Sequence, residues 1–143
     1  MRADRASVIT RITALYVDKV AAHILEPYGL SLAQYKILSY LYGKEPGTAT
    51  TGELEKYFQM SHSTSVGLLN NLESSGFIRR EKIPEAGRNK VIFLSEKAAA
   101  IQQDLDAAGD QIERKFTERL TAEESEQYIL LSRKILDMKD NED

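Results

Sequence analysis

A chain of 143 residues has the length of one domain and can bury a core. Its 42% hydrophobic and 29% charged content fits a globular protein, and its formal charge of −3 gives it no overall basic character. With no cysteine, it has no disulfide, thiolate nucleophile, cysteine-ligated metal or cysteine redox switch.

The first residues, MRADRASVITRI, lack the apolar core of a signal peptide. No run approaches the ~20 apolar residues of a membrane span, so the expected location is the cytoplasm, with no membrane partner. Residues 5–25 are helical by period: Val8, Ile9, Ile12, Leu15, Tyr16, Val20 and Ile24 fall mostly on one stripe. Pro27 and Gly29 end that helix. Ser31 opens SLAQ, a capping box with Gln34, and Ile37, Leu38 and Leu41 follow as a core face. Gly43, Pro46 and Gly47 make a loop. In TTGE, Thr50 is placed to cap a short helix over about 51–58, with Glu53 returning the bond. Gln59 and Met60 form a tight connection, and Ser61 caps a helix running to about Ser75, where Gly76 stops it.

The period then changes to two. Phe77–Ile83 and Val91–Leu94 read as strands joined by the hairpin tip PEAGRN. Ser95 caps one long alanine-rich helix from about 96 to 118. TAEE at 121–124 caps another, in which Tyr128, Leu131, Ile135 and Met138 share a face, and the tail KDNED is expected to fray. There are no internal repeats, so residues 1–143 read as a single domain.

A short helix, a tight turn and a second helix make a helix-turn-helix, whose second helix can enter the DNA major groove by its N-terminal end. Here that end presents Ser61, His62, Ser63, Thr64 and Val66, with Gly67 and Asn70 further along. Hydroxyls and imidazole can bond base edges or phosphates, and the valine methyls can meet a thymine methyl. Leu68, Leu69 and Leu72 face the other way as core. Gly67 costs ~1 kcal/mol relative to alanine inside a helix; it either lets DNA approach a bare backbone or relieves packing. In the hairpin, Arg79, Arg80, Lys82, Arg88 and Lys90 crowd into a dozen residues. Arg88 at the tip suits a narrow minor groove, and the other four suit phosphates. Positive charge gathered at one edge reconciles DNA contact with an acidic total.

The segments LSLAQYKILSYL, GELEKYFQMSHSTSVGLLNNLESSGFIRR and PEAGRNKVIFLSEKA together resemble the winged helix-turn-helix of the MarR family over essentially the whole chain. The resemblance implies a mainly α (α+β) fold: a winged lobe over about 31–95, flanked by dimerisation helices over about 1–28 and 96–143. It implies a homodimer binding a pseudo-palindromic double-stranded operator. The first helix would meet residues of about 110–139, with Ile9, Ile12, Tyr128, Ile135 and Leu136 as contacts. The family often binds small phenolic or other apolar effectors, for which Tyr16, Tyr28, Tyr35 and Tyr40 are the candidate cleft. Two departures stand out. The usual wing D-x-R reads Ala86 and Arg88 here, so that either Glu85 orients the arginine or Arg88 is held more loosely. Arginines common elsewhere are replaced by Gly67 and Asn71, which implies fewer phosphate contacts.

Plainer readings stand beside these. His62 also suits an ordinary exposed residue near a cap, His23 a structural or solvated one, and the tyrosines plain core. The basic hairpin also suits strand-edge protection. No P-loop, dinucleotide fingerprint, G-x-S-x-G or metal-ligand spacing is present, so neither an enzyme nor a cofactor is expected. The expected function is sequence-specific, ligand-responsive repression of transcription; the alternative is a winged-helix protein-interaction module without DNA binding.

Overall fold

A computed structural model describes residues 4–87 and 89–138. Among these residues, seven α-helices and one two-stranded sheet follow in the order α1 (Ala6–Leu25), α2 (Leu32–Tyr42), α3 (Thr51–Phe58), α4 (His62–Ser74), β1 (Ile78–Lys82), β2 (Lys90–Leu94), α5 (Glu96–Ala100), α6 (Gln102–Thr117) and α7 (Ala122–Ile135). The fold is the mainly helical winged helix-turn-helix that the sequence implies. No described helix is long and apolar enough to cross a membrane.

Local chemistry sets most boundaries. Ser31 and Gln34 exchange both bonds of a capping box at α2, and Thr121 and Glu124 do so at α7. Thr50 accepts from the Glu53 amide at α3, but Glu53 does not return the bond. Gly76, at φ +82°, ends α4 in a Schellman turn: the Phe77 amide reaches Leu72 O and the Gly76 amide reaches Glu73 O. The turn between α3 and α4 places Gln59 in the left-handed region at φ +53° without a glycine. Its side chain then donates across the molecule to the Leu136 carbonyl beyond α7.

One expected helix is two. Residues 96–118 break at Ile101 (φ −104°, ψ 8°) into α5 and α6. Packing explains the break: α5 lies against β2, α6 runs along α1, and the half-buried Ile101 packs on the core at the change of direction. A second difference concerns the sheet. β1 and β2 pair antiparallel with Arg80 opposite Ile92 and Lys82 opposite Lys90, but Thr50 also bridges to Val91, and the Ile92 amide donates to Ala49 O. The residues before α3 thus stitch the wing to the helix-turn-helix. Val91 and Ile92 are both buried, so β2 is covered on both faces at its middle.

The core gathers Leu25, Ile37, Leu38, Leu54, Leu69, Leu72 and Leu105 at essentially no exposure. It lies where α1, α2, α4 and α6 meet beneath the sheet. The terminal helices carry uncovered apolar side chains: Ile9, Ile12, Leu15 and Tyr16 on α1, and Tyr128, Leu130, Leu131, Ile135 and Leu136 on or just after α7. Rings join these helices: Tyr16 and Phe116 lie 6.2 Å apart, Phe116 and Tyr128 5.9 Å apart. The tail KDNED lies outside the described residues.

Candidate nucleic-acid interface

Helix α4 begins at a polar cap. Ser61 Oγ accepts from the Thr64 amide at 3.2 Å and donates to Thr64 Oγ1 at 2.9 Å, with Ser63 Oγ 3.3 Å away. His62, Ser63, Thr64, Gly67 and Asn70 are exposed, Val66 is half-buried, and Leu69 and Leu72 are buried beneath. A side chain added at Gly67 would meet nothing within 4 Å, so no packing inside this chain requires glycine there. The face therefore projects small polar groups from a buried leucine base.

Two polar residues outside the sequence expectations hold that helix in place. Ser65 is 1% exposed. Its hydroxyl donates to Glu55 Oε1 on α3 and lies 3.0 Å from the His62 carbonyl oxygen. The same Glu55 oxygen lies 2.7 Å from His62 Nδ1. The Ser65 bond is the main cause that lowers the Glu55 pKa below its usual value; partial burial opposes it, and His62 adds to it. Spacing hints at the pair: Ser65, Leu69 and Leu72 recur at helical period, and a hydroxyl on an apolar stripe requires a partner.

The basic residues divide by environment. Arg80, expected to face phosphates, turns inward: its side chain is 14% exposed, with Nε donating to Glu73 Oε2 at 2.7 Å and Nη2 to Asn70 Oδ1 at 2.6 Å. It ties β1 to α4, and it occupies Asn70 as well. Arg79 is exposed, lies 3.3 Å from Glu81 and stacks its guanidinium 4.2 Å from the Phe93 ring centroid. Lys82 and Lys90 are exposed and directly opposite each other in the ladder. Like charges so placed repel, and an anion between them would relieve the repulsion. Arg88 lies outside the described residues. Ala86 and Glu85 form a 3-10 turn at the tip, which closes at Gly87 with φ +63°.

The four tyrosines do not share one cleft. Tyr35 and Tyr40 line a recess of about 280 Å³ with Lys36, Ser39, Tyr57 and Phe58. Tyr28 packs on the core, and Tyr16 sits against Phe116. Burial is the largest cause raising the Tyr35 pKa. In the recess Tyr40, Tyr57 and Phe58 form a triangle with centroids 5.0–5.7 Å apart. Lys44 stands 5.0 Å from the Tyr40 ring and Lys36 5.5 Å from the Phe58 ring. This triangle includes two rings, Tyr57 and Phe58, that the sequence pattern alone assigns to a short helix without a role.

Comparison with known proteins adds an independent line. The MarR family profile matches residues 28–89. The chain is 26% identical over 109 residues to the HTH-type transcriptional regulator PapX of Escherichia coli, covering 76% of this chain and 66% of that protein. It is 32% identical over 97 residues to the uncharacterised HTH-type transcriptional regulator YfiV of Bacillus subtilis (strain 168), covering 68% of this chain and 59% of that one. The matched stretch thus spans less than two thirds of either relative. Among solved structures, the S. aureus MepR–DNA complex superposes with a TM-score of 0.82 at 26% identity, covering 93% of this chain and 97% of that chain.

Proposed function

Because the chain belongs to the MarR family, we propose that it is a homodimeric, ligand-responsive transcriptional repressor that binds a pseudo-palindromic operator. The observation that carries this reading is the joint geometry of α4 and the wing. A helix end of exposed hydroxyls and imidazole stands on a buried leucine base, beside Lys82 and Lys90, which are exposed and face each other across the ladder. Small polar groups suit base edges, and opposed lysines suit phosphates. The likeness to the S. aureus MepR–DNA complex supports the DNA partner.

Two copies are required to read a palindrome, with recognition helices in successive major grooves about 34 Å apart. The exposed apolar faces of α1 and α7, with Ile9, Ile12, Tyr128, Ile135 and Leu136 among them, support that pairing. The recess at Tyr35 and Tyr40, with rings and Lys36 in its walls, supports a small aromatic effector. Such an effector acts only by binding one spacing of the reading heads better than the other.

The test is binding of the purified protein to its own upstream DNA, titrated with salt against random duplex. The expected result is a specific complex that weakens steeply with salt, because phosphate neutralisation releases counterions. Equal binding to random DNA, or no binding, overturns the reading and favours a protein partner for the winged lobe.

A further inference from the structure

We propose that Glu55 is a positioning residue that fixes the tautomer of His62, so that His62 Nε2 presents a lone pair and selects an amino group, adenine N6 or cytosine N4, in the major groove. This rests on the operator-binding reading above and names what one residue of that surface recognises.

The assignment follows from counting protons around one oxygen. Glu55 Oε1 is approached by both the Ser65 hydroxyl and His62 Nδ1. An ionised carboxylate has only lone pairs to offer, so both partners must donate to it. Nδ1 of His62 therefore carries a hydrogen. A neutral imidazole has one N–H, which leaves Nε2 as an acceptor. Among the described residues, the remaining charged groups lining the adjoining recess of about 320 Å³ are Arg80, already held by Glu73, and Lys90. Both are cations, and neither can accept from Nδ1.

Position completes the case. The His62 side chain is 79% exposed while its Glu55 partner is 20% exposed. One end of the imidazole is anchored on Glu55, and the other has no partner among the described residues. His62 is the first residue of α4, the end that enters the groove. Among the major-groove edges, only adenine N6 and cytosine N4 donate, whereas guanine O6, guanine N7, adenine N7 and thymine O4 accept. An Nε2 lone pair can bond the first pair and not the others. Ser65 contributes by holding the carboxylate: its buried hydroxyl gives Glu55 a second anchor on the same helix.

Two measurements test this on the full chain at pH 8. The first is ¹⁵N NMR of the imidazole of His62 without DNA, in wild type, Glu55→Gln and Glu55→Ala. The expected result is the Nδ1–H form in wild type and in Glu55→Gln, whose amide oxygen still accepts, and mixed tautomers in Glu55→Ala. The second is selection of sites from random duplexes by the same three proteins. Wild type and Glu55→Gln should enrich adenine or cytosine at one position in each half-site, and Glu55→Ala should reduce that enrichment about tenfold, as loss of one base contact predicts. A protonated Nε2 in wild type overturns the inference. So does an enriched position that Glu55→Ala leaves unchanged. Wild-type protein that enriches no sequence overturns the operator-binding reading itself, an outcome separate from either.

Discussion

Helices α4 and α7 are nearly the same length, 13 and 14 residues, and each is capped at its N-terminus by a hydroxyl. They differ in what completes them. α4 buries Ser65, Leu69 and Leu72 within its own chain and is further tied by Glu55 and Arg80. α7 has no buried residue, and its Leu130, Leu131 and Ile135 stand 60% to 78% exposed. The contrast teaches that the two helices require different neighbours. Helix α4 is finished by the fold and leaves polar groups for an outside partner. The terminal helix is finished only by another apolar surface, since large apolar patches on a protein mark interaction sites.

The largest expected effect breaks the α7 side. Leu131→Glu or Ile135→Glu puts an unpaired charge into the proposed dimer face, which costs about 3 kcal/mol or more, or roughly a hundredfold in the dimer dissociation constant. Sedimentation should show monomers with helix content unchanged. A dimer that persists in both variants would place the interface elsewhere.

The next separates the cations on the α4 side. Arg80→Ala should lower stability by about 1–2 kcal/mol, because it removes charge-assisted bonds to Glu73 and Asn70 from a largely buried side chain. Lys82→Ala and Lys90→Ala should leave stability nearly unchanged or slightly raised, since they relieve an opposed like-charge pair. Each should instead reduce the slope of log binding constant against log salt by about 0.9. Denaturation and salt titration of the three variants decide the matter; a Lys90→Ala protein with an unaltered slope would remove that residue from the DNA surface.

A pair of helical glycines sharpens the distinction between finished and unfinished surfaces. Gly67→Ala should stabilise by about 1 kcal/mol, because the new methyl meets nothing within 4 Å. If the bare backbone serves DNA, the same change should weaken operator binding. On α6, Gly109→Ala should destabilise by about 1–3 kcal/mol. Its methyl would overlap the Tyr35 hydroxyl and come within 3.0 Å of Tyr35 Cζ. Urea unfolding of both variants should therefore give shifts of opposite sign.

The smallest effect concerns acid. Glu55 has a lowered pKa in the fold, so the unfolded chain takes up its proton first as pH falls. The stabilisation it supplies is complete above the ordinary glutamate value near 4.5 and is lost as pH drops below that. The stability difference between wild type and Glu55→Gln should accordingly shrink between neutral pH and pH 3. A constant difference would mean that the carboxylate charge is not what holds Ser65 and His62.

Much of the architecture was legible because its determinants are local. Ser31, Ser61, Ser95 and Thr121 announce helix starts through a hydroxyl that bonds a nearby amide, and Gly76 announces an end through its backbone freedom. The break at Ile101 was not legible, since alanine-rich sequence favours helix on both sides and only the separate docking of α5 and α6 bends it. Within the site, the exposed face of α4 followed from helical period. The inward turn of Arg80 did not, because its partners Glu73 and Asn70 lie on another element and meet it only when the strand folds back. The tyrosines failed as a set for the same reason: a count of rings carries no information on which of them share a recess.

By itself the sequence determined the order of the elements, the polar outer edge of α4 and the gathering of positive charge at the wing, because each is encoded within a few neighbouring residues. Only the tertiary structure decided which arginine of the wing turns inward, which carboxylate holds α4 and which apolar faces stay uncovered. Those outcomes depend on distances between residues far apart in the chain, which are fixed when the core closes around Leu38, Leu54 and Leu72.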